Sequence, residues 1–286
     1  MSEEPEVYIM TIWNAILLGL VQGIAEFLPI SSSGHLSILQ NLFGMTTSEN
    51  GHVFFDVLLH LATLVSVIFV YRNDLRIMIR DCLDLVHPAA GESGKQQRHP
   101  GARLVLLILV ATLPLVAVLP IHSKIEELYN HTAFIGMALI LTGCMLYVSD
   151  QMIPGRKKVG STRMIDALII GVCQAVATIP GLSRSGTTIT AGLATGLHRK
   201  FAVKFSFLLS IPAVLGANLL SLIGAFSDGV DWKCLPAYLV GMLVAMVTGV
   251  LSLNLLKRLA DRGGFGKFAY YCWGVGFITI ILSLIL

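Results

Sequence analysis

Six long apolar runs limit what this chain can fold into, at 53–71, 102–120, 132–149, 201–225, 236–256 and 268–286. Each has roughly the 17–25 residues that cross a ~30 Å hydrocarbon core as a helix. In lipid a segment must satisfy its own backbone N–H and C=O groups, so the runs fold as helices and the protein is all-α and polytopic. Only 13% of residues are charged, against roughly 25% in soluble domains. The class is an integral membrane protein in contact with a lipid bilayer, with no separate soluble domain. A net charge of +3 does not point to nucleic acid, because the basic residues sit in short loops between apolar runs. Five cysteines without C-x-x-C spacing read as small core residues, which gives no zinc site or disulfide framework. Glu3, Glu4 and Glu6 precede the first apolar run with no lysine or arginine beside them. That run is therefore expected to stay in the mature protein.

Two further apolar segments, 8–35 and 164–197, carry polar motifs, and charge decides whether they cross. Of the 20 lysines and arginines, six lie in 72–103, four in 156–163, three in 199–204 and four in 257–267. Segments 1–10 and 31–52 have none, 121–131 and 226–235 have Lys124 and Lys233 alone, and the last is Arg184. By the positive-inside rule the four rich segments are cytoplasmic and the poor ones external. Both flanks of 8–35 are then outside, and both flanks of 164–197 inside. Each segment is predicted to be a re-entrant helical hairpin, one from each face. The chain divides into a first repeat, 1–150, and a second, 151–286, each a hairpin plus three spans, with both termini outside. Repeats of opposite orientation place a polar site near the midplane at their interface. The loop 72–101 is expected to be charged and mobile around Gly91–Gln97.

The two hairpins are also copies of one another. Asn14–His35 and Asp166–Thr187 share identities at a constant offset of 152: Ala15/Ala167, Gly19/Gly171, Gln22/Gln174, Ala25/Ala177, Ser31/Ser183, Ser33/Ser185 and Gly34/Gly186. An offset near half the chain length points to duplication. The copies differ at Glu26 against Thr178 and at Ser32 against Arg184, as expected of one site assembled from two halves. Gln22 and Glu26 share a helix face, and a carboxylate at membrane depth is by default functional. Ser31, Ser32 and Ser33, before Gly34 and His35, either cap a helix or hold an oxyanion such as phosphate. Arg184, among Ser183, Ser185, Thr187 and Thr188, adds a planar fork suited to phosphate oxygens. Glu26–Arg184 pairing without substrate is compatible with that role. Together these parts suit phosphoryl transfer, which rests mostly on positioning and charge stabilisation. No Walker-type loop is present, so nucleotide use is not expected. Asp56 and His60, four apart on one span, either support the site or are satisfied by neighbouring helices.

These residues resemble those of the undecaprenyl-diphosphate phosphatase family, also called bacitracin-resistance proteins. The match rests on QGIAEFLPISSSGH at 22–35 and PGLSRSGTT at 180–188, with FFDVLLHLATL at 54–64 and KFSFLLSIPA at 204–213 in support. The resemblance implies an inverted-repeat fold and hydrolysis of a long-chain polyprenyl diphosphate to the monophosphate carrier and inorganic phosphate, recycling the carrier for peptidoglycan synthesis. It also implies a divalent cation, Mg²⁺ or Ca²⁺, and a bacterial plasma (inner) membrane location with the site opening outward. Glu26 is then base or metal ligand, Ser32 the nucleophile with His35 beside it, and Arg184 the diphosphate clamp. Ser31, Ser33, Ser183, Ser185 and Thr188 line the oxyanion pocket. His35, or a water activated by Glu26, is the alternative nucleophile. Many members carry a second glutamate where this chain has Gln22, which leaves Glu26 the only carboxylate in either motif and gives Gln22 a positioning role. A transporter or flippase is the rival from another class, and a second copy of the chain is a candidate partner in a homodimer.

Overall fold

The computed structural model describes residues 10–42, 51–86, 99–153, 155–228 and 232–285. Twelve α-helices lie among them: α1 (Ile12–Ala25), α2 (Ser32–Leu42), α3 (Gly51–Val70), α4 (Arg72–Val86), α5 (Pro100–Thr112), α6 (His122–Glu127), α7 (Thr132–Gln151), α8 (Met164–Val176), α9 (Arg184–Ala194), α10 (Arg199–Asp228), α11 (Leu235–Arg262) and α12 (Gly266–Ile285). Six stretches are long and apolar enough to cross a membrane: Val53–Val70, Pro100–Ile125, Thr132–Gln151, Arg199–Ile223, Trp232–Ala260 and Gly266–Ile285. They coincide with the six runs read from the sequence.

Three boundaries differ from the sequence reading. The second run is not one continuous α-helix, because α5 stops at Thr112 and a 3₁₀ segment continues over Leu113–Ile121. Pro114 and Pro120 each lack the N–H that an α-helical ladder needs. The charged loop begins with a helix, α4, while Gly91–Gln97 lies outside the described residues. The second arm of the first hairpin also runs beyond His35, to Leu42.

The copies are visible in the helices. Ile12 and Met164 open α1 and α8, and Ser32 and Arg184 open α2 and α9, each pair 152 apart. Within each copy the arms pack on each other, α1 on α2 and α8 on α9. A segment that enters and leaves by one face needs that form. Packing between halves is reciprocal: α1 lies on α11, α8 on α5, α7 on α12 and α3 on α10. Close approach comes from small residues, as expected where lipid gives helices no hydrophobic reason to associate. A Cβ on Gly136 would sit 2.9 Å from the Gly276 carbonyl oxygen, and one on Gly276 2.7 Å from that of Gly136. Two apolar cores result. One joins Phe27, Leu107, Ile170, Phe205 and Leu253; the other joins Leu18, Phe55, Leu59 and Tyr238. Outside them the spans expose large apolar side chains such as Leu219, Leu251 and Leu284, a surface that water would penalise and lipid covers.

Candidate active site

The first motif is shaped by where α1 must stop. Pro29 has no N–H to donate and disfavours helix at the residue before it, so a tight turn over Glu26–Ile30 follows α1. Ser31 then takes φ 72°, the only left-handed non-glycine among the described residues. That conformation costs about 1–2 kcal/mol and is held from two sides. Gly34 N donates to Ser31 Oγ at 3.2 Å, and the His35 ring places Nδ1 2.7 Å from the Ser31 carbonyl oxygen. The turn folds Glu26 over the start of α2, where Ser32 Oγ donates to Glu26 Oε2 at 2.6 Å. Gln22, one turn back on α1, donates Nε2 to the same oxygen at 3.2 Å.

The second motif repeats the capping and changes the chemistry. Its left-handed residue is Gly181, φ 87°, where the conformation carries no Cβ penalty. Ser183 caps α9 by accepting from Gly186 N at 3.1 Å, as Ser31 accepts from Gly34. Ser183 and Ser185 hydroxyls lie 3.3 Å apart, Ser31 and Ser33 hydroxyls 3.4 Å. The two turns abut: a Cβ on Gly34 would meet Gly181 Cα at 3.2 Å, and one on Gly186 would meet Pro29 Cβ at 3.4 Å. This contact brings the Arg184 guanidinium onto Glu26 Oε1 in an ion pair.

Apart from His35, whose ring lies between the Ser31 carbonyl and the Tyr271 hydroxyl, the candidate residues fall into three groups. Glu26, Ser32, Arg184 and Gln22 form one bonded cluster. Ser31, Ser33, Ser183 and Ser185 are paired hydroxyls at the two abutting turns. Thr188 is turned to structure, sharing a 2.6 Å contact with Ser206 of α10 and donating to the Arg184 carbonyl at 2.8 Å. Of the two open residues, His60 joins the site, with Nε2 3.8 Å from Glu26 Oε2. Its Nδ1 faces the Asp56 carbonyl oxygen at 2.8 Å, so Nε2 also carries a proton only in the imidazolium, and the contact is an ion pair in that form. Asp56 instead accepts both its bonds from Gln40, at 2.9 and 3.0 Å.

The sequence reading missed Tyr271, whose hydroxyl lies 2.9 Å from His35 Nε2, and Ser206 and Ser210. The two serines line a small cavity beside Glu26, Phe27, Arg184 and Ser185. Both lie in the stretch 204–213 that carries part of the family resemblance, which is the signal that could have found them. Tyr271 has none, because it sits in an apolar span 236 residues from its partner.

In this cluster Glu26 is buried to 9% exposure with Arg184 on one oxygen and Ser32 on the other. Removing either charge would leave its partner desolvated and unpaired, an arrangement that costs about 3–5 kcal/mol. Hydroxyl, carboxylate and guanidinium at contact distance are groups able to act as nucleophile, base and anion holder. As to a metal, Gln22 turns Nε2 to Glu26 and leaves its Oε1 buried with no hydrogen-bond partner. A carboxylate and an unpartnered amide oxygen one turn apart, with hydroxyls nearby, are oxygen donors of the kind a hard cation such as Mg²⁺ or Ca²⁺ takes. The one grouping of three acidic and histidine ligand atoms among the described residues, Asp81, Asp84 and His99, belongs to α4 and the start of α5, not to the motifs.

Fold and site define a polytopic helical membrane protein whose two repeated motifs share one buried cluster of carboxylate, guanidinium and hydroxyl. The chain belongs to the family described as bacitracin resistance protein BacA, whose profile matches residues 15–278. Relatives carrying the name undecaprenyl-diphosphatase align end to end. One from Alkaliphilus metalliredigens is 37% identical over 278 residues, covering 96% of this chain and all of the relative. One from Desulforapulum autotrophicum is 38% identical over 280 residues with the same coverage. One from Methanobrevibacter smithii is 40% identical over 282 residues, covering 96% of this chain and 99% of the relative.

Proposed function

We propose that this protein hydrolyses undecaprenyl diphosphate to undecaprenyl phosphate and inorganic phosphate. The observation that carries this reading is the 2.6 Å hydrogen bond from Ser32 Oγ to Glu26, with Arg184 of the other motif on the second carboxylate oxygen. Relatives that align over nearly the whole chain carry a diphosphatase name, which favours catalysis over transport.

The diphosphate enters as an anion and takes the Arg184 fork, which can bind two phosphate oxygens at once. That exchange frees Glu26 to accept the Ser32 proton. Ser32 Oγ then attacks the terminal phosphorus, forming a Ser–O–P bond as the P–O bond to the lipid phosphate breaks. Glu26 passes the Ser32 proton to the undecaprenyl phosphate as it leaves, and is a carboxylate again. It then takes a proton from water, which attacks the phosphoserine; inorganic phosphate is released as the Ser–O–P bond breaks, and Glu26 returns the proton to the Ser32 oxygen. Paired hydroxyls at the two turns face the developing charge. Glu26 and Gln22 would hold a divalent cation, which would supply positive charge against the phosphate oxygens.

The protein is placed in the plasma membrane with its basic loops inside, both termini outside, the two helix pairs re-entrant and the site opening to the outer face. The exchange of partners between halves supports the repeat boundary near residue 150.

Purified protein in detergent should release phosphate from farnesyl diphosphate or longer chains. Ser32→Ala, Glu26→Gln and Arg184→Ala should each lower kcat by at least about 10³-fold, within the reach of nucleophile, base and charge-stabilising groups. A trapped phospho-enzyme should map to Ser32. An active Ser32→Ala protein with no trapped intermediate would shift attack to water.

A further inference from the structure

Tyr271 lies on α12, far in sequence from both motifs. Its hydroxyl is 2.9 Å from His35 Nε2, and the two rings are nearly parallel, 7° apart with centroids separated by 5.6 Å. The other ring nitrogen, Nδ1, is 2.7 Å from the Ser31 carbonyl oxygen. A carbonyl only accepts, so Nδ1 carries the proton. In the neutral ring Nε2 is then a bare acceptor, and Tyr271 must donate to it. Both nitrogens of His35 are occupied, and neither touches Glu26 or Ser32.

The second copy of the motif provides an internal control. There Ser183 has an ordinary φ of −72°, and the residue equivalent to His35 is Thr187, whose hydroxyl is buried without a partner. The first copy departs on both counts together, with Ser31 left-handed at φ 72° and a histidine holding its carbonyl. Ser31 immediately precedes Ser32, so whatever fixes its carbonyl also fixes where Ser32 Oγ points.

We propose that Tyr271 and His35 are a positioning pair: Tyr271 holds His35 as the Nδ1–H tautomer, and that ring pins the strained Ser31 turn that aims Ser32 at Glu26. This rests on the phosphatase reading only in naming Ser32 as the atom being aimed. It removes His35 from the candidates for nucleophile and base, because its one free lone pair is already committed to the tyrosine.

Three variants test the pair. Tyr271→Phe keeps the ring stack and loses one hydrogen bond, so kcat for phosphate release should fall about fivefold to tenfold with KM within about twofold of wild type. His35→Asn keeps a side-chain N–H where Nδ1 was; Asn254 makes the same i to i−4 bond in this chain, with Nδ2 2.9 Å from the Val250 oxygen. It should keep activity within about tenfold of wild type, whereas His35→Ala should lose about 100-fold, the upper range for removing an orienting partner. Nitrogen-15 spectra of histidine-labelled protein supply a readout independent of turnover. The His35 signals, identified by their loss in His35→Asn, should show protonated Nδ1 and bare Nε2, with the Nε2 resonance moving in Tyr271→Phe. An asparagine variant as inactive as the alanine one, a Tyr271→Phe protein indistinguishable from wild type, or a proton on Nε2 in place of Nδ1 would each overturn the proposal. A wild-type protein that releases no phosphate would defeat the phosphatase reading, and the spectra would still judge the pair.

Discussion

Glu26 meets four side chains at once, Arg184, Ser32, Gln22 and His60, and each contact predicts a different loss. Arg184→Lys keeps the charge but not the fork, so the ion pair survives while two-oxygen recognition of phosphate does not. Its KM should rise about tenfold or more with a smaller change in kcat, read from steady-state phosphate release. Gln22→Glu places a second carboxylate where Gln22 Oε1 now lies buried and unpartnered. It should lower the Mg²⁺ or Ca²⁺ concentration needed for half-maximal rate after chelator treatment, and tighten cation binding measured calorimetrically without substrate. Rates unaffected by chelator would remove the cation from the reaction. These residues were legible because a lone carboxylate and a lone arginine in apolar segments need a reason to be there. Tyr271 was not, since an aromatic at a span end is ordinary, and nothing local ties it to His35. The fate of Thr188 was equally hidden, because only the arrival of α10 reveals that Ser206 takes its hydroxyl.

At the scale of elements, the repeat glycines do the same work in both halves. Gly19 of α1 packs on the Gly241 carbonyl of α11, and Gly171 of α8 packs on the Ala111 carbonyl of α5. A Cβ at either would collide with backbone, which cannot swing aside as a side chain can. Gly19→Ala and Gly171→Ala should therefore each destabilise the protein by about 1–3 kcal/mol, the usual cost of overpacking, seen as a lower thermal midpoint in detergent. Gly216→Ala is the contrasting case. A Cβ there meets nothing within 4 Å, so the change should be neutral or mildly stabilising through helix propensity. Equal effects at all three would show that close helix approach is not what these glycines serve. The helices themselves were readable from apolar length, and the pairing of the two motifs from the fixed offset between them. The 3₁₀ stretch after α5 and the extension of α2 to Leu42 were not, since prolines and helix ends act through backbone geometry that an apolar count ignores.

For the whole molecule, the sidedness expected from charge is the assignment on which the proposed inverted arrangement depends. Seventeen basic residues lie in four segments, while the other loops hold one or none each, and ion pairs tie three of the four into the fold, Lys204 with Asp74 at 2.6 Å and Lys157 with Asp166 at 2.8 Å. If α1–α2 and α8–α9 are re-entrant, the residues flanking each pair must emerge on one face. In a cysteine-free background, single cysteines at Thr11 and Asn41 should react with a membrane-impermeant maleimide in intact cells. Cysteines at Lys158 and Lys200 should react only after permeabilisation, and cysteines at Lys124 and Lys233 should behave like the first pair. Thr11 and Asn41 labelling from opposite faces would mean that the first helix pair crosses. The two halves would then no longer be inverted, and an outward-opening site at their shared turns would lose its basis. All six positions labelling as assigned would leave one arrangement, in which Glu26 descends from the outer face and Arg184 rises from the inner one to meet it.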